Sequence, residues 1–339
     1  METNTQRKFV PACAATGIGS LPFDEIHTAV NFVKGFYHEI YFWPQLPQKN
    51  FEKNMIAEFF QKIPLTEIKN SFPRFVLPGD DPKLLSALRD FQIETQEEAG
   101  VLDLFGSGGG FFKTQITGPV TMLLNVSDAQ GKNLFEFPKL VEWMKGYLME
   151  RAKSRARMIT ARGWKPIIFL DEPSLAQLEP LLLRSQRKFL VELLNSFVRE
   201  LSKEGSLTGL HCCGRTDWNL VFEAGFDIVS FDAVKDIDHF LGEKKGVRNH
   251  FERGGVVAWG VVPSEYLGYE LDCGKLAESF LEHLARFAQE PVSLKRVLLQ
   301  SMVTTSCGTA GLGLEDNDKA HSWVREVSGI LHGVLHETN

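Results

Sequence analysis

Cysteine is scarce in this chain of 339 residues: there are five, Cys13, Cys212, Cys213, Cys273 and Cys307. An odd, thinly spread set excludes a disulfide framework and points to a reducing compartment, the cytoplasm. Long apolar runs are missing as well, and none approaches the ~20 residues needed to cross a bilayer. The stretch from Met1 to Lys8 is polar and leads straight into Phe9-Val10-Pro11, which is not the pattern of a secretory leader. Basic runs are absent and the net charge is -6, so neither nucleic acid nor an anionic membrane is an expected partner. No Gly-x-Gly-x-x-Gly follows the first apolar run, which speaks against a dinucleotide-binding open sheet. No fixed period recurs, which excludes a solenoid. What remains is 43% hydrophobic and 24% charged, too apolar for a disordered chain. No linker or low-complexity tract divides it, so one domain over 1–339 is expected.

Eight short apolar runs recur along the chain. They lie at Cys13–Pro22, Glu39–Pro44, Phe111–Pro119, Pro166–Pro173, Leu207–Gly214, Phe226–Val234, Val256–Pro263 and Val297–Gly308. Most are rich in β-branched or aromatic residues and closed by Gly or Pro, as strands are. Amphipathic segments lie between them, at Phe23–Tyr37, Phe51–Lys62, Pro82–Glu98, Leu134–Arg162, Leu183–Lys203, Asp236–Arg253 and Leu271–Gln289. Continuous apolar strands alternating with helices predict a parallel sheet covered by helices. Eight units in a chain of this length predict an α/β fold of the (β/α)8 TIM-barrel type. The Leu65–Gly106 stretch is long for a crossover, so an excursion between strands two and three is expected.

Such a barrel builds its site from the C-terminal ends of its strands. Those ends here carry Ser20, Thr117-Gly118, Asp171-Glu172, His211-Cys212-Cys213, Asp232 and Cys307. Residues i and i+2 of a strand face the same side, so His211 and Cys213 point together and Cys212 points to the helix layer. If Cys307 joins them across the mouth, one imidazole and two thiolates form a soft site suited to Zn2+, with Asp232 available as an oxygen ligand. Three protein ligands and one exchangeable position form the pattern of a catalytic zinc site. Zinc deprotonates a bound thiol and leaves it able to attack, so sulfur ligation suits alkyl transfer to a thiol better than hydrolysis. Ser20 has a second reading, as N-cap of the helix beginning near Phe23. Cys13, Cys212 and Cys273 read as packing residues. His27, His38, His239, His250, His283, His321, His332 and His336 read as surface residues.

In order along the chain, Ile18-Gly19-Ser20-Leu21-Pro22, Thr117-Gly118-Pro119-Val120-Thr121-Met122-Leu123, Asp171-Glu172-Pro173, His211-Cys212-Cys213, Asp227-Ile228-Val229-Ser230-Phe231-Asp232 and Cys307-Gly308 resemble the catalytic barrel of cobalamin-independent methionine synthase. They also resemble the wider superfamily that it shares with uroporphyrinogen decarboxylase and the methylcobalamin:coenzyme M methyltransferases. The resemblance implies Zn2+ held by His211, Cys213 and Cys307, with Asp232 where the family places a ligating glutamate. It implies homocysteine held by Ser20 and Asp171, with backbone contacts from Ile18 and Gly19. Glu172 joins the candidate substrate-binding residues, and Asp171 and Asp232 are the candidate catalytic carboxylates.

The chain departs from the family in three places. The family's His-Gly-Glu carboxylate falls near Gln48-Lys49-Asn50, where only Glu52 is close. The seventh strand, Trp259-Gly260-Val261-Val262-Pro263, lacks the family's proton-donating His. Leu124-Asn125-Val126-Ser127 lacks the Trp expected near folate. The last two departures favour a methylated corrinoid, or a corrinoid protein, as methyl donor over methyl-folate, and the missing carboxylate favours another small thiol as acceptor. The expected activity is zinc-dependent methyl transfer to homocysteine, giving methionine. The alternatives are transfer to coenzyme M or another small thiol, a porphyrinogen decarboxylase, and a non-catalytic corrinoid-binding accessory protein.

Overall fold

The computed structural model describes residues 9–47, 55, 66–68, 74–76, 95–127, 133–178, 180–265, 268, 270–289 and 291–337. In chain order the strands are β1 (Ala14–Ala15), β2 (Ile40–Phe42), β3 (Thr66–Ile68), β4 (Arg74–Val76), β5 (Phe111–Thr117), β6 (Val126–Ser127), β7 (Lys165–Asp171), β8 (Leu207–Cys212), β9 (Ile228–Asp232), β10 (Val256–Val262) and β11 (Ser301–Thr305). The helices are α1 (Ile26–Phe36), α2 (Thr95–Phe105), α3 (Pro119–Asn125), α4 (Pro138–Ala161), α5 (Pro180–Lys203), α6 (Trp218–Ala224), α7 (Ala233–Gly242), α8 (Lys244–Glu252), α9 (Cys273–Phe287), α10 (Leu294–Leu299) and α11 (Leu314–Glu337).

Eight parallel strands run in the order β1-β11-β10-β9-β8-β7-β5-β2. The seam between the two end strands is bridged just past them, where Gln45 N donates to Gly19 O at 2.8 Å and Leu21 N to Gln45 O at 2.9 Å. The architecture is therefore a (β/α)8 TIM barrel, and all eight apolar runs of the sequence supply its strands. All seven residues of β10 are buried, as expected of a strand with helices on one face and the barrel interior on the other.

An excursion separates β2 from β5, the second and third strands of the barrel. Its last part is the helix α2, which takes a regular crossover position against α1 and α4. β3 pairs antiparallel with β4, and β4 pairs parallel with β6, as a small sheet apart from the barrel. The expected helix at 51–62 lies outside the described residues but for Met55, and that expected at 82–98 is described only from Thr95, where α2 begins. Among the described residues no helix is long and apolar enough to cross a membrane.

The lower half of the barrel is filled by Ala14, Ile40, Ile167, Phe169, Ile228, Val256, Ala258 and Met302. Each of the larger of these side chains, the alanines apart, contributes ~1.5–3 kcal/mol when removed from water. Several helices start at side-chain caps: Asp217 accepts from Leu220 N, Asp232 from Lys235 N, Asp272 from Lys275 N and Ser293 from Arg296 N. Ser20 is not a cap, because α1 begins after Glu25 with no side-chain hydrogen bond. His250 and His321 are not surface residues; both are buried. His250 Nε2 donates to Val256 O at 3.0 Å, and burial pushes its imidazole down to about 3. His321 lies between the Tyr37 hydroxyl and Thr309 Oγ1.

Candidate metal centre

Strand register decides which side chains meet at the mouth. Thr117 pairs with Asp171, Asp171 with His211, and His211 with Ser230. Alternation turns His211 inward and sends Cys212 outward, where it is fully buried in the helix-facing core. Cys213 follows at the strand's end on the His211 side. Cys307 lies just beyond β11, in a loop shaped by Ser306 N donating to Val262 O at 2.7 Å and Thr305 Oγ1 donating to Cys307 O at 2.7 Å. The potential ligand atoms of His211, Cys213 and Cys307 all lie within 4.8 Å of one another.

His211 Nδ1 is 3.0 Å from Ser230 Oγ, which leaves Nε2 as the free nitrogen. That atom is buried and makes no hydrogen bond to nitrogen or oxygen. An imidazole fixed through one nitrogen, with the other unpartnered beside two thiols, is the arrangement of a metal-ligating histidine. The Cys307 thiol donates to the Cys213 sulfur, which pulls the Cys213 thiol below its ordinary range and, together with burial, pushes Cys307 above it. A soft set of one nitrogen and two sulfurs fits Zn2+.

Asp232 does not join this group. Its Oδ1 accepts from Lys235 N at 3.1 Å as the cap of α7, and its Oδ2 lies 3.7 Å from Lys235 Nζ. Burial raises its carboxyl above the ordinary range, against the pull of the capping N–H. The side chain that the sequence offered as a ligand and catalytic carboxylate starts a helix instead.

Asp171 and Glu172 are neighbours with different surroundings. Asp171 is half-buried and its Oδ1 has no hydrogen-bond partner. Burial raises its carboxyl, opposed by the charges of His211, Lys113 and Arg155. Glu172 is fully buried, and the start of α3 occupies both its oxygens: Oε1 accepts from Val120 N at 2.9 Å, and Oε2 from Thr121 N and Thr121 Oγ1, each at 2.7 Å. This corrects Glu172 as a substrate-binding candidate, because no oxygen is left to face the mouth. A carboxylate on a helix N-terminus is electrostatically favourable, but burial still raises Glu172 to about 7. A Cβ at Gly118 would fall 2.2 Å from Glu172 Cδ, so the Thr-Gly-Pro run needs its glycine for this contact.

The Ile18-Gly19-Ser20 segment comes to the other side of the mouth. Thr309 N donates to Ser20 O at 2.9 Å, and a Cβ on Gly308 would lie 2.8 Å from Ser20 Oγ. Gly19 has φ 145, a conformation that favours glycine, and its Cα packs on the Gln115 amide. Sequence reasoning missed Lys113. This inward β5 side chain is 2% exposed and donates from Nζ to Ile18 O at 2.6 Å. The Lys-x-Gln-x-Thr spacing, which puts three polar residues on one face of an apolar strand, was the available signal. The positions 48–50 and 52 lie outside the described residues.

No family model matches the chain, and no curated protein matches it. Solved structures do. A B12-independent methionine synthase from Shewanella sp. W3-18-1, in complex with selenomethionine, superposes with a TM-score of 0.66 at 16% identity, over 96% of this chain and 99% of that one. A protein from Listeria monocytogenes described as a putative vitamin-B12 independent methionine synthase gives 0.52 at 13% identity, over 91% and 86%. A structure of L-ribulose 3-epimerase gives 0.48 at 11% identity, over 96% and 95%. At such identities the likeness is one of fold, and it establishes that this chain is built on the barrel it shares with the first two.

Proposed function

We propose that the chain is a zinc-dependent methyltransferase that moves a methyl group onto the sulfur of homocysteine, with a methylated corrinoid as donor. The observation that carries this reading is the approach of His211, Cys213 and Cys307 to within 4.8 Å, with His211 Nε2 unpartnered. Those three residues would hold the metal, and Asp232, engaged with α7, leaves the fourth position to the substrate. Zinc held by His211, Cys213 and Cys307 would lower the pKa of an incoming thiol and keep its sulfur nucleophilic. Ser230 fixes the tautomer and tilt of His211. The unpartnered Asp171 Oδ1 accepts from the substrate ammonium, and Ser20 with the Ile18-Gly19 backbone orients the rest of the amino acid.

The corrinoid reading rests on β10. Its seven residues, Val256 to Val262, include no titratable side chain. Methyl-folate leaves behind a nitrogen that must be protonated, whereas a methylcorrinoid departs with its bonding pair as Co(I) and needs no proton. Expected outcomes are about one zinc per purified chain, methyl transfer from methylcobalamin to homocysteine, and loss of both in Cys307→Ser. Metal-free wild-type protein, or undiminished zinc in Cys307→Ser, would overturn the reading.

A further inference from the structure

Lys113 is the only fully buried lysine among the described residues. Its ammonium has one hydrogen bond, to the Ile18 carbonyl at 2.6 Å, and lies 4.7 Å from the centre of the Phe169 ring. Burial pulls it down to about 8, and the charge of Asp171 opposes that shift. A methionine would fill the same slot between Ile18 and Phe169 with no charge to desolvate, so stability does not account for an ammonium there. Its location does. Its one hydrogen bond is with the backbone that leads into Gly19 and Ser20, and its charge also bears on Asp171 from a distance, without a hydrogen bond to that residue's Oδ1. Two residues further along the same face of β5, Gln115 packs under Gly19, and its Nε2 donates to Trp43 O at 3.1 Å. β5 thus grips the end of the first strand at two successive inward positions.

We propose that Lys113 is a positioning residue for the amino-acid end of the substrate, holding the Ile18-Gly19-Ser20 backbone through a carbonyl and the Asp171 carboxylate through its charge. This rests on the reading of Ser20 and Asp171 as substrate contacts. Lys113 lies beneath the floor of the mouth and acts on the ligand through those two elements. It has no part in holding the metal.

The test is a double-mutant cycle on the zinc-loaded full chain, read by calorimetric binding of two thiols. Homocysteine carries the ammonium and carboxylate; 2-mercaptoethanol offers sulfur without either. Lys113→Met is expected to weaken homocysteine about tenfold or more, with zinc content and 2-mercaptoethanol binding unchanged. Adding Lys113→Met to Asp171→Asn is expected to weaken homocysteine by a smaller factor than Lys113→Met does in wild type, because residues that act together are not additive. Equal loss for both thiols would make Lys113 a scaffold residue and overturn the proposal, as would single losses that simply multiply. Should Lys113→Met fail to fold, Lys113→Gln removes the charge and carries its amide nitrogen one atom short of where the ammonium meets Ile18 O. The same selective loss of homocysteine is expected of it, and unchanged homocysteine binding would overturn the proposal. Wild-type protein that holds zinc yet binds neither thiol would instead sink the site reading, and the proposal with it.

Discussion

The two ends of the barrel interior solve opposite problems with the same strands. Toward the N-terminal ends, Ile167, Phe169, Ile228 and Val256 close a dry plug in which side chains need only shape. Two residues further on, β7 carries Asp171 and β9 carries Ser230, with His211 of β8 between them, and unpartnered polar atoms appear on Asp171 and His211. The plug's side chains satisfy one another, whereas the mouth leaves Asp171 Oδ1 and His211 Nε2 without a hydrogen-bond partner. The contrast teaches that stability and function are separated here along each strand, and not between domains.

That separation can be broken or sharpened by substitution. The largest effect is expected of Phe169→Ala, in the plug. It should cost ~3–5 kcal/mol in chemical denaturation while zinc content stays unchanged; loss of metal in the folded variant would show the two ends to be coupled. Glu172 comes next, because it lies at the mouth yet serves the fold. Its folded value near 7 is raised above the ordinary 4.5. Its contribution to stability is therefore fully present below pH 4.5, falls as pH rises, and is lost above about 7. This change amounts to ~3 kcal/mol. Denaturation at pH 5 and pH 8 should show that slope in wild type and a flatter one in Glu172→Gln. Ser230→Ala should act in the opposite sense, weakening zinc about 10–100-fold in a chelator competition with the melting temperature of the metal-free protein hardly moved. The smallest effect is expected of Asp232→Ala, which loses a helix cap worth ~1 kcal/mol and keeps its zinc. Depleted zinc there would restore Asp232 as a ligand.

Much of this was legible in the sequence because a parallel strand buried on both faces is a continuous apolar run that local reading detects. Its end is then marked by the first polar residues, which is how Ser20, Asp171, His211 and Cys307 could be named. What could not be read was the use of charge inside. Glu172 looks like half of a site pair until its oxygens are traced to Val120 and Thr121. Asp232 looks like a ligand until Lys235 is found against it. α11 escaped notice because its buried face includes Asn317, His321 and Ser328, which are satisfied by hydrogen bonds and so break the apolar stripe. The same residues explain why His321 reads as exposed and is not.

The adjacent cysteines of β8 carry one further consequence. Cys212 and Cys213 share a chemistry and differ only in which way the pleat turns them. A slip of β8 by one residue against β7 and β9 would exchange them, offering the mouth the wrong sulfur and withdrawing the His211 imidazole toward the helices. If the chain holds zinc as proposed, a mispaired barrel would lose the imidazole of its ligand set and hold the ion more weakly, so metal capture would favour the correctly threaded chain.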